Sequence, residues 1–85
     1  MINIDKTTIG WTLFINELED SLAHLSQLVE QLKIDSEYDE ANLRVDLGHV
    51  YSHLNRAWYR RSKSEDISEP EWVEASQFPH DLNPL

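Results

Sequence analysis

Three histidines and an aspartate stand at spacings that could bind a metal ion. His49 and His53 lie four residues apart and so share one helix face, with Asp46 one turn before them. His24 falls on the corresponding flank of the preceding helical segment. Imidazoles together with a carboxylate can bind Zn2+ or a similar ion.

The predicted fold points these four side chains away from the contact between the two segments, which would hold the flanks too far apart in a monomer. The hypothesis is therefore a metal site that closes across a dimer interface. A histidine pair on a polar face is more often solvated surface. Metal binding is accordingly the alternative interpretation, and no bound cofactor is predicted.

Other catalytic chemistry has no support in the residue types. The chain has no cysteine, which excludes a disulfide, a thiolate metal ligand and a cysteine nucleophile. Gly10 and Gly48 are the only glycines, so there is no glycine-rich loop that could cradle a phosphate. No serine stands in a strand-to-helix elbow. We therefore predict that the protein is not an enzyme.

The charge balance argues against nucleic acid and anionic membranes as partners. The net charge is -9 and the isoelectric point is near 4.6. The main basic cluster is interpreted as complementing the negative end of a helix dipole and pairing with Glu17, Glu19 and Asp20, rather than as a phosphate-binding patch. It consists of Arg44, Arg56, Arg60, Arg61 and Lys63. No run of about 18 apolar residues could span a membrane, and the first residues do not resemble a secretory signal. We therefore predict a cytoplasmic protein.

Apolar residues recur at alternating intervals of four and three in two successive segments. This heptad pattern is typical of helices that pack against other helices. The first stripe, between about residues 5 and 33, consists of Trp11, Ile15, Leu18, Leu22, Leu25, Val29 and Leu32. The second stripe, between about residues 36 and 62, consists of Leu43, Leu47, Val50, Leu54, Ala57 or Trp58, and Arg61.

A link of only a few residues separates the two segments, which forces an antiparallel hairpin. The hairpin is predicted to cover residues 1–62, with Ser36 as the N-cap of its second helix. In the antiparallel hairpin each residue of the first stripe is expected to face one residue of the second. The pair farthest from the link places Arg61 over the Trp11 ring in a cation–π contact. Gly48 is interpreted as a point where a neighbour approaches closely.

Residues 63–85 form an acidic tail that carries all three prolines of the chain. Ser68, followed three residues later by Glu71, is typical of a helix start and predicts a short helix at about 69–76. The residues that follow are predicted to be extended, because a residue before proline avoids the helical region. The tail and the hairpin are expected to form one domain.

Apolar residues outside the predicted seam exceed what a two-helix hairpin can bury. We therefore predict an all-α fold in which the tail folds back and two hairpins pack as a dimeric helical bundle. The predicted function is that of a protein–protein interaction module, an adaptor or a regulator, that forms a homodimer and binds a further protein partner. The alternative function is the metal- or ligand-binding bundle described above.

The residues predicted to bind the partner combine aromatic anchors with charge. Tyr59, Trp72 and Phe78 are the candidate apolar anchors, because aromatic side chains carry much of the energy of interfaces. Arg60 and Arg61 are the candidates for charge pairing with the partner.

Overall fold

The computed structural model describes residues 5–85. Within this range the elements are three helices and no strand: α1 (Ile9–Ile34), α2 (Glu40–Arg60) and α3 (Glu69–Ala75). The helices α1 and α2 pack along each other as a long antiparallel hairpin, and the short α3 packs on α2. This confirms the predicted all-α hairpin with a short third helix, whereas dimeric packing stays a prediction.

Local hydrogen bonds fix where α1 and α3 begin. The Oγ1 atom of Thr8 accepts a hydrogen bond from the backbone N–H of Trp11 at 3.3 Å and caps α1. Ser68 and Glu71 form the capping box of α3, as the sequence predicts.

The second helix begins later than predicted. Asp39, rather than Ser36, is its N-cap and forms a capping box with Asn42. The cause lies in the preceding turn, where a carboxylate oxygen of Asp35 accepts the backbone N–H of Glu37 at 2.9 Å. An aspartate that bonds its own backbone two residues on stabilises a turn, so Ser36 stays outside the helix.

The contact between α1 and α2 is rotated by about one residue from the predicted seam. Buried residues of α1 follow the same four-three intervals one position earlier, and they are Gly10, Phe14, Glu17, Ser21 and Leu28. Buried residues of α2 are Val50, His53, Asn55, Arg56, Ala57 and Arg60. One residue corresponds to about 100° of helix rotation. Val50 and Ala57 of the predicted α2 stripe are buried, as predicted, whereas the predicted buried face of α1 is wrong, because Leu18, Leu22 and Leu25 are exposed.

Paired polar side chains hold the helices in the rotated arrangement. The Ser21 hydroxyl donates to the carbonyl oxygen of Val50 at 3.3 Å. Glu17 accepts hydrogen bonds from three side chains of α2. Among residues 5–85, no buried side-chain nitrogen or oxygen lacks a hydrogen-bond partner. Because every buried polar group is paired, this polar face is tolerated in the interior.

The two glycines have opposite surroundings. The backbone N–H of Gly10 donates to the carbonyl oxygen of Ser64 at 3.0 Å, and a Cβ atom at Gly10 would collide with the backbone at Lys63. Gly48 has no neighbouring atom within 4 Å of the place where a Cβ would lie. The prediction of close approach at Gly48 is therefore wrong, and the close contact is at Gly10.

The tail folds back onto α2 of its own chain. The amide nitrogen of Asn55 donates to the carbonyl oxygen of Ser76 at 2.9 Å, and Nη1 of Arg56 donates to the Ser76 hydroxyl at 2.8 Å. Further along, the indole N–H of Trp58 donates to Asp81 at 2.9 Å. The tail thus covers one side of the hairpin, as predicted.

Arg61 stacks on a different indole from the predicted one. Its guanidinium carbon lies 3.7 Å from the ring centroid of Trp58, whereas the Nζ of Lys6 lies 5.2 Å from the centroid of Trp11. The predicted contact between Arg61 and Trp11 is therefore wrong. Arg61 follows Trp58 by about one helical turn, so the local pair forms within the same segment.

Across residues 5–85, none of the helices is both long and apolar enough to cross a lipid bilayer. The cytoplasmic location and the division of the chain at residues 62 and 63 stay predictions.

Candidate interaction face and histidine cluster

Glu17 is the centre of a buried ionic network. Its Oε2 atom accepts hydrogen bonds from Nε of Arg56 at 2.8 Å and from Nε of Arg60 at 3.1 Å. Its Oε1 atom accepts from Nδ1 of His53 at 2.8 Å. Arg60 also donates to Asp66 at 3.0 Å. The network therefore joins both helices of the hairpin to the segment before α3.

The partners of Glu17 keep its carboxylate charged. Burial would raise the pKa of Glu17, but the hydrogen bonds from His53 and Arg56, the charge of Arg56 and the hydrogen bond from Arg60 together hold the pKa below its ordinary value. A fixed negative charge therefore lies beside His53 at neutral pH.

His24, His49 and His53 form a cluster next to Glu17. One ring nitrogen of each histidine lies within 4.8 Å of those of the other two. The ring centroids of His24 and His49 are 4.0 Å apart, and those of His49 and His53 are 4.9 Å apart. His24 belongs to α1 and the other two to α2 of the same chain. The expectation that only a dimer interface could bring them together is wrong, because the rotated seam turns this flank inward.

The hydrogen bond to Glu17 determines the tautomer of His53. An ionised carboxylate only accepts hydrogen bonds, so Nδ1 of His53 carries the proton. Nη2 of Arg56 lies 3.1 Å from the same nitrogen. Two donors cannot hydrogen-bond each other, so we assign the proton of His53 to the shorter contact with Glu17. In the neutral form of His53, the Nε2 atom is then the nitrogen that carries the lone pair.

His49 is held in the neutral form. Desolvation of its ring by neighbouring side chains, together with the charges of His24, His53 and Arg56, lowers the pKa of His49 below its ordinary value of 6.5, and Asp46 only partly opposes this. A neutral imidazole has a free lone pair, which is the form that binds metals.

Asp46 lies beside the cluster but is not among its mutually close ligand atoms. The Tyr38 hydroxyl donates to Oδ2 of Asp46 at 2.7 Å. Partial burial and this hydrogen bond raise the pKa of Tyr38 to about 12, so the hydroxyl stays a donor. Asp46 and His24 both line a small cavity of about 200 Å³. The structure thus brings together three of the four predicted ligands, and Asp46 flanks them.

Five of the seven residues of the α1 heptad stripe lie on the surface of this chain, whereas Trp11 and Ile15 are half-buried. Side chains of the stripe between 40 and 69% exposed are Leu18, Leu22, Leu25, Val29 and Leu32. Leu54 of α2 is also exposed, and it lines a groove of about 470 Å³ together with Leu18. We call these six residues the apolar face.

Trp72 and Phe78, two of the predicted anchors, are surface residues of the docked tail. Trp72 is 46% exposed and stacks on Arg56, whose guanidinium carbon lies 4.4 Å from the ring centroid. Phe78 is 66% exposed and meets the Tyr51 ring edge-on at 5.3 Å. Both rings thus contact the hairpin and still offer surface to a partner.

The other three predicted partner-binding residues are engaged within the chain. The Tyr59 hydroxyl donates to Glu71 at 3.0 Å. Arg60 is buried between two carboxylates, and Arg61 stacks on Trp58. Partner binding by any of these side chains stays a prediction.

Glu17 and Arg56, which organise the histidine cluster, are missing from the predicted site. A signal for them exists in the sequence. Glu17 stands three residues after Phe14 and four before Ser21, in a four-three series parallel to the leucine stripe. Hydropathy alone predicts that the leucine stripe is buried instead. The series that contains Glu17 is recognisable as the buried one only when the Glu17 carboxylate is paired with the arginines of α2.

No protein-family model matches this chain, and no curated protein or solved structure is significantly similar to it. The function is therefore argued from the geometry.

Proposed function

We propose that the protein is a non-enzymatic interaction module that associates through the apolar face, and that this face binds a second copy of the chain. The observation that carries the proposal is the row of exposed leucine and valine side chains along α1. Folded monomers rarely expose contiguous apolar patches beyond a few hundred Å², and larger ones mark interaction sites.

The energy available at this face is of the size needed for association. Fully burying a leucine or valine is worth about 1.5–3 kcal/mol, so each half-exposed member of the face would gain roughly 1 kcal/mol. For six residues on each of two subunits the total is about 12 kcal/mol, against an association cost of about 4–15 kcal/mol. We therefore expect a reversible dimer whose population depends on protein concentration.

A second copy suits this face because the face is a heptad stripe. Such stripes pack by inserting side chains into the spaces of a matching stripe, and the chain itself carries one. A two-fold axis would place the same patch on both subunits. Two hairpins joined in this way would form a four-helix bundle.

The tail would serve a different partner. Trp72 and Phe78 are exposed on the docked tail, which carries several acidic residues. Exposed aromatic rings within an acidic surface are suited to a protein with a basic, apolar groove. This second surface supports the role of adaptor.

The first test is the molar mass in solution, measured by light scattering over a dilution series. We expect about twice the chain mass of 10.0 kDa at high concentration. Leu22→Glu should shift the protein to monomer, because it places a charge in the middle of the face. Val45→Glu is the matched control, since Val45 is exposed to the same extent, 70% against 69% for Leu22, and lies off the face.

Circular dichroism of both variants checks that the helices remain. Since both side chains are already exposed, neither variant should unfold. A wild-type chain that is monomeric throughout the series, or equal effects of the two variants, would overturn association through this face.

A further inference from the structure

We propose that His24, His49 and His53 bind one Zn2+ ion within a single chain. This inference concerns the polar side of the hairpin and does not depend on the proposed dimer. It rests on the convergence of three imidazoles from two helices, whose ligand nitrogens all lie within 4.8 Å of one another.

The distances are close to those of a metal site. Zinc–nitrogen bonds of 2.0–2.1 Å at tetrahedral angles place ligand nitrogens about 3.4 Å apart. The observed separations, all within 4.8 Å, exceed this by at most about 1.4 Å. The rings of His24 and His53 are now nearly parallel, at 17° between their planes. Rotation of the His24 and His49 imidazoles about their side-chain bonds would turn their nitrogens toward His53 without moving the helices.

The residues that would orient the His53 ligand are already in place. Metal-binding histidines usually donate their other N–H to a carboxylate, which fixes the tautomer and strengthens the ligand. Nδ1 of His53 donates to Glu17 in this way, at 2.8 Å. The carboxylate is itself held by Arg56 and Arg60. Nε2 of His53 is therefore the ligand atom, with its ring held by packing and hydrogen bonding.

The charges around the cluster are mixed, and the acids offset the nearby arginine. Arg56 lies beside the cluster, with its Nη2 atom 3.1 Å from Nδ1 of His53. Its charge is paired with Glu17, and Asp20 lies 4.0 Å from the same histidine nitrogen. Asp46 adds a further negative charge beside His49. Because these carboxylates offset the positive charge of Arg56, the cluster can accept a dication.

The ligand chemistry selects the metal class. Imidazole nitrogens suit zinc and other late first-row ions, whereas Mg2+ and Ca2+ prefer oxygen ligands. Three protein ligands leave one tetrahedral position for water, as in open zinc sites. His49 is exposed and His24 half-buried, so an ion can reach the cluster from solvent.

The test is a calorimetric titration of the full chain with zinc chloride, repeated with cobalt chloride and monitored by visible absorption. We expect one Zn2+ per chain and the intense visible bands of tetrahedral Co2+. His49→Ala should weaken binding by at least about 100-fold, because loss of even a second-layer partner costs about 10–100-fold. His49 is exposed, so this variant should keep its fold, which circular dichroism checks.

His80→Ala is the matched control, because His80 is an exposed histidine in the tail, outside the cluster. This variant should bind zinc like the wild-type chain. Three results would overturn the proposal: no binding by the wild-type chain, equal losses in the two variants, or half an ion per chain, which would move the site to an interface between two copies. None of these results depends on whether Leu22→Glu breaks a dimer.

Discussion

At Glu17, three side-chain donors converge on one carboxylate that is only 7% exposed. A buried charge without partners would be too costly to keep. Here two arginines and a histidine supply the partners, and all three come from α2. The pairing therefore contributes to the choice of buried face on α1, and it places His53 in the position that the zinc proposal requires.

Replacing Glu17 by alanine should destabilise the fold by about 3–5 kcal/mol, because Arg56 would be left buried with an unpaired charge and Arg60 would keep only Asp66 as its ionic partner. This is a large share of the roughly 5–15 kcal/mol that stabilises a domain. Urea unfolding followed by circular dichroism would measure the loss.

Glu19→Ala is the control for this change, since Glu19 is an exposed acid on the same helix. Its effect should stay within about 0.5 kcal/mol. A loss below about 1 kcal/mol for Glu17→Ala would show that the network does not hold the helices together.

At the scale of the elements, the two helical glycines predict opposite outcomes for the same substitution. Gly48→Ala should stabilise the protein by up to about 1 kcal/mol, because alanine is the better helix former and the added Cβ meets open space. Gly10→Ala should destabilise it by about 1–3 kcal/mol, because the Cβ would collide with the backbone of Lys63 and Ser64.

Thermal unfolding of the two variants, side by side with the wild-type protein, would measure both effects. The comparison is internal, because the same substitution is made in two helices and only Gly10 packs against other backbone. Stabilisation by both alanines would contradict the close packing of α1 against the segment after α2.

At the scale of the whole molecule, charged groups help to hold the tail against the hairpin. A hydrogen bond from Arg60 lowers the pKa of Asp66, and one from the Trp58 indole lowers the pKa of Asp81. The pKa of Glu71 is lowered by the backbone N–H of Ser68 and by the Tyr59 hydroxyl. Each carboxylate is therefore favoured in its charged form in the folded protein.

Acid should release the tail. A carboxyl group whose folded pKa lies below its unfolded value stabilises the fold fully above the unfolded pKa, and this contribution is lost as the pH falls through the folded value. We expect the loss below about pH 4. Tryptophan fluorescence between pH 7 and 2 would follow it, because Trp58 and Trp72 lie where the tail meets the hairpin.

Two variants identify the origin of the acid transition. Asp81→Asn should reduce the fluorescence change, whereas Glu65→Gln, at another exposed acid of the tail, should leave it as in the wild-type chain. His49 should affect stability in a different pH range. Because the pKa of His49 is lower in the folded protein than its ordinary value, the free energy of unfolding should decrease as the pH falls below about 6.5. Identical acid transitions in Asp81→Asn and Glu65→Gln would rule out the Asp81 contact as a cause.

Local patterns predicted most of the helical framework. The absence of glycine and proline between Trp11 and Lys33, the capping box at Ser68 and the short link each concern residues near one another in the chain. The predicted start of α2 is wrong because Asp35 forms a turn that competes with helix initiation at Ser36. Spacing singled out His24, His49 and His53, but it did not predict that the three side chains meet within one chain.

The sequence by itself determined an all-α hairpin with a short third helix, because helix periodicity, caps and a short link act over a few residues. Only the tertiary structure decided which face of each helix is buried. Hydrophobic periodicity favours the leucine stripe, but the arginines that neutralise Glu17 lie 39 and 43 residues away in the chain. Pairing between such distant charges depends on how the two helices meet. The resulting arrangement leaves the leucines of α1 exposed and brings the three histidines together within one chain.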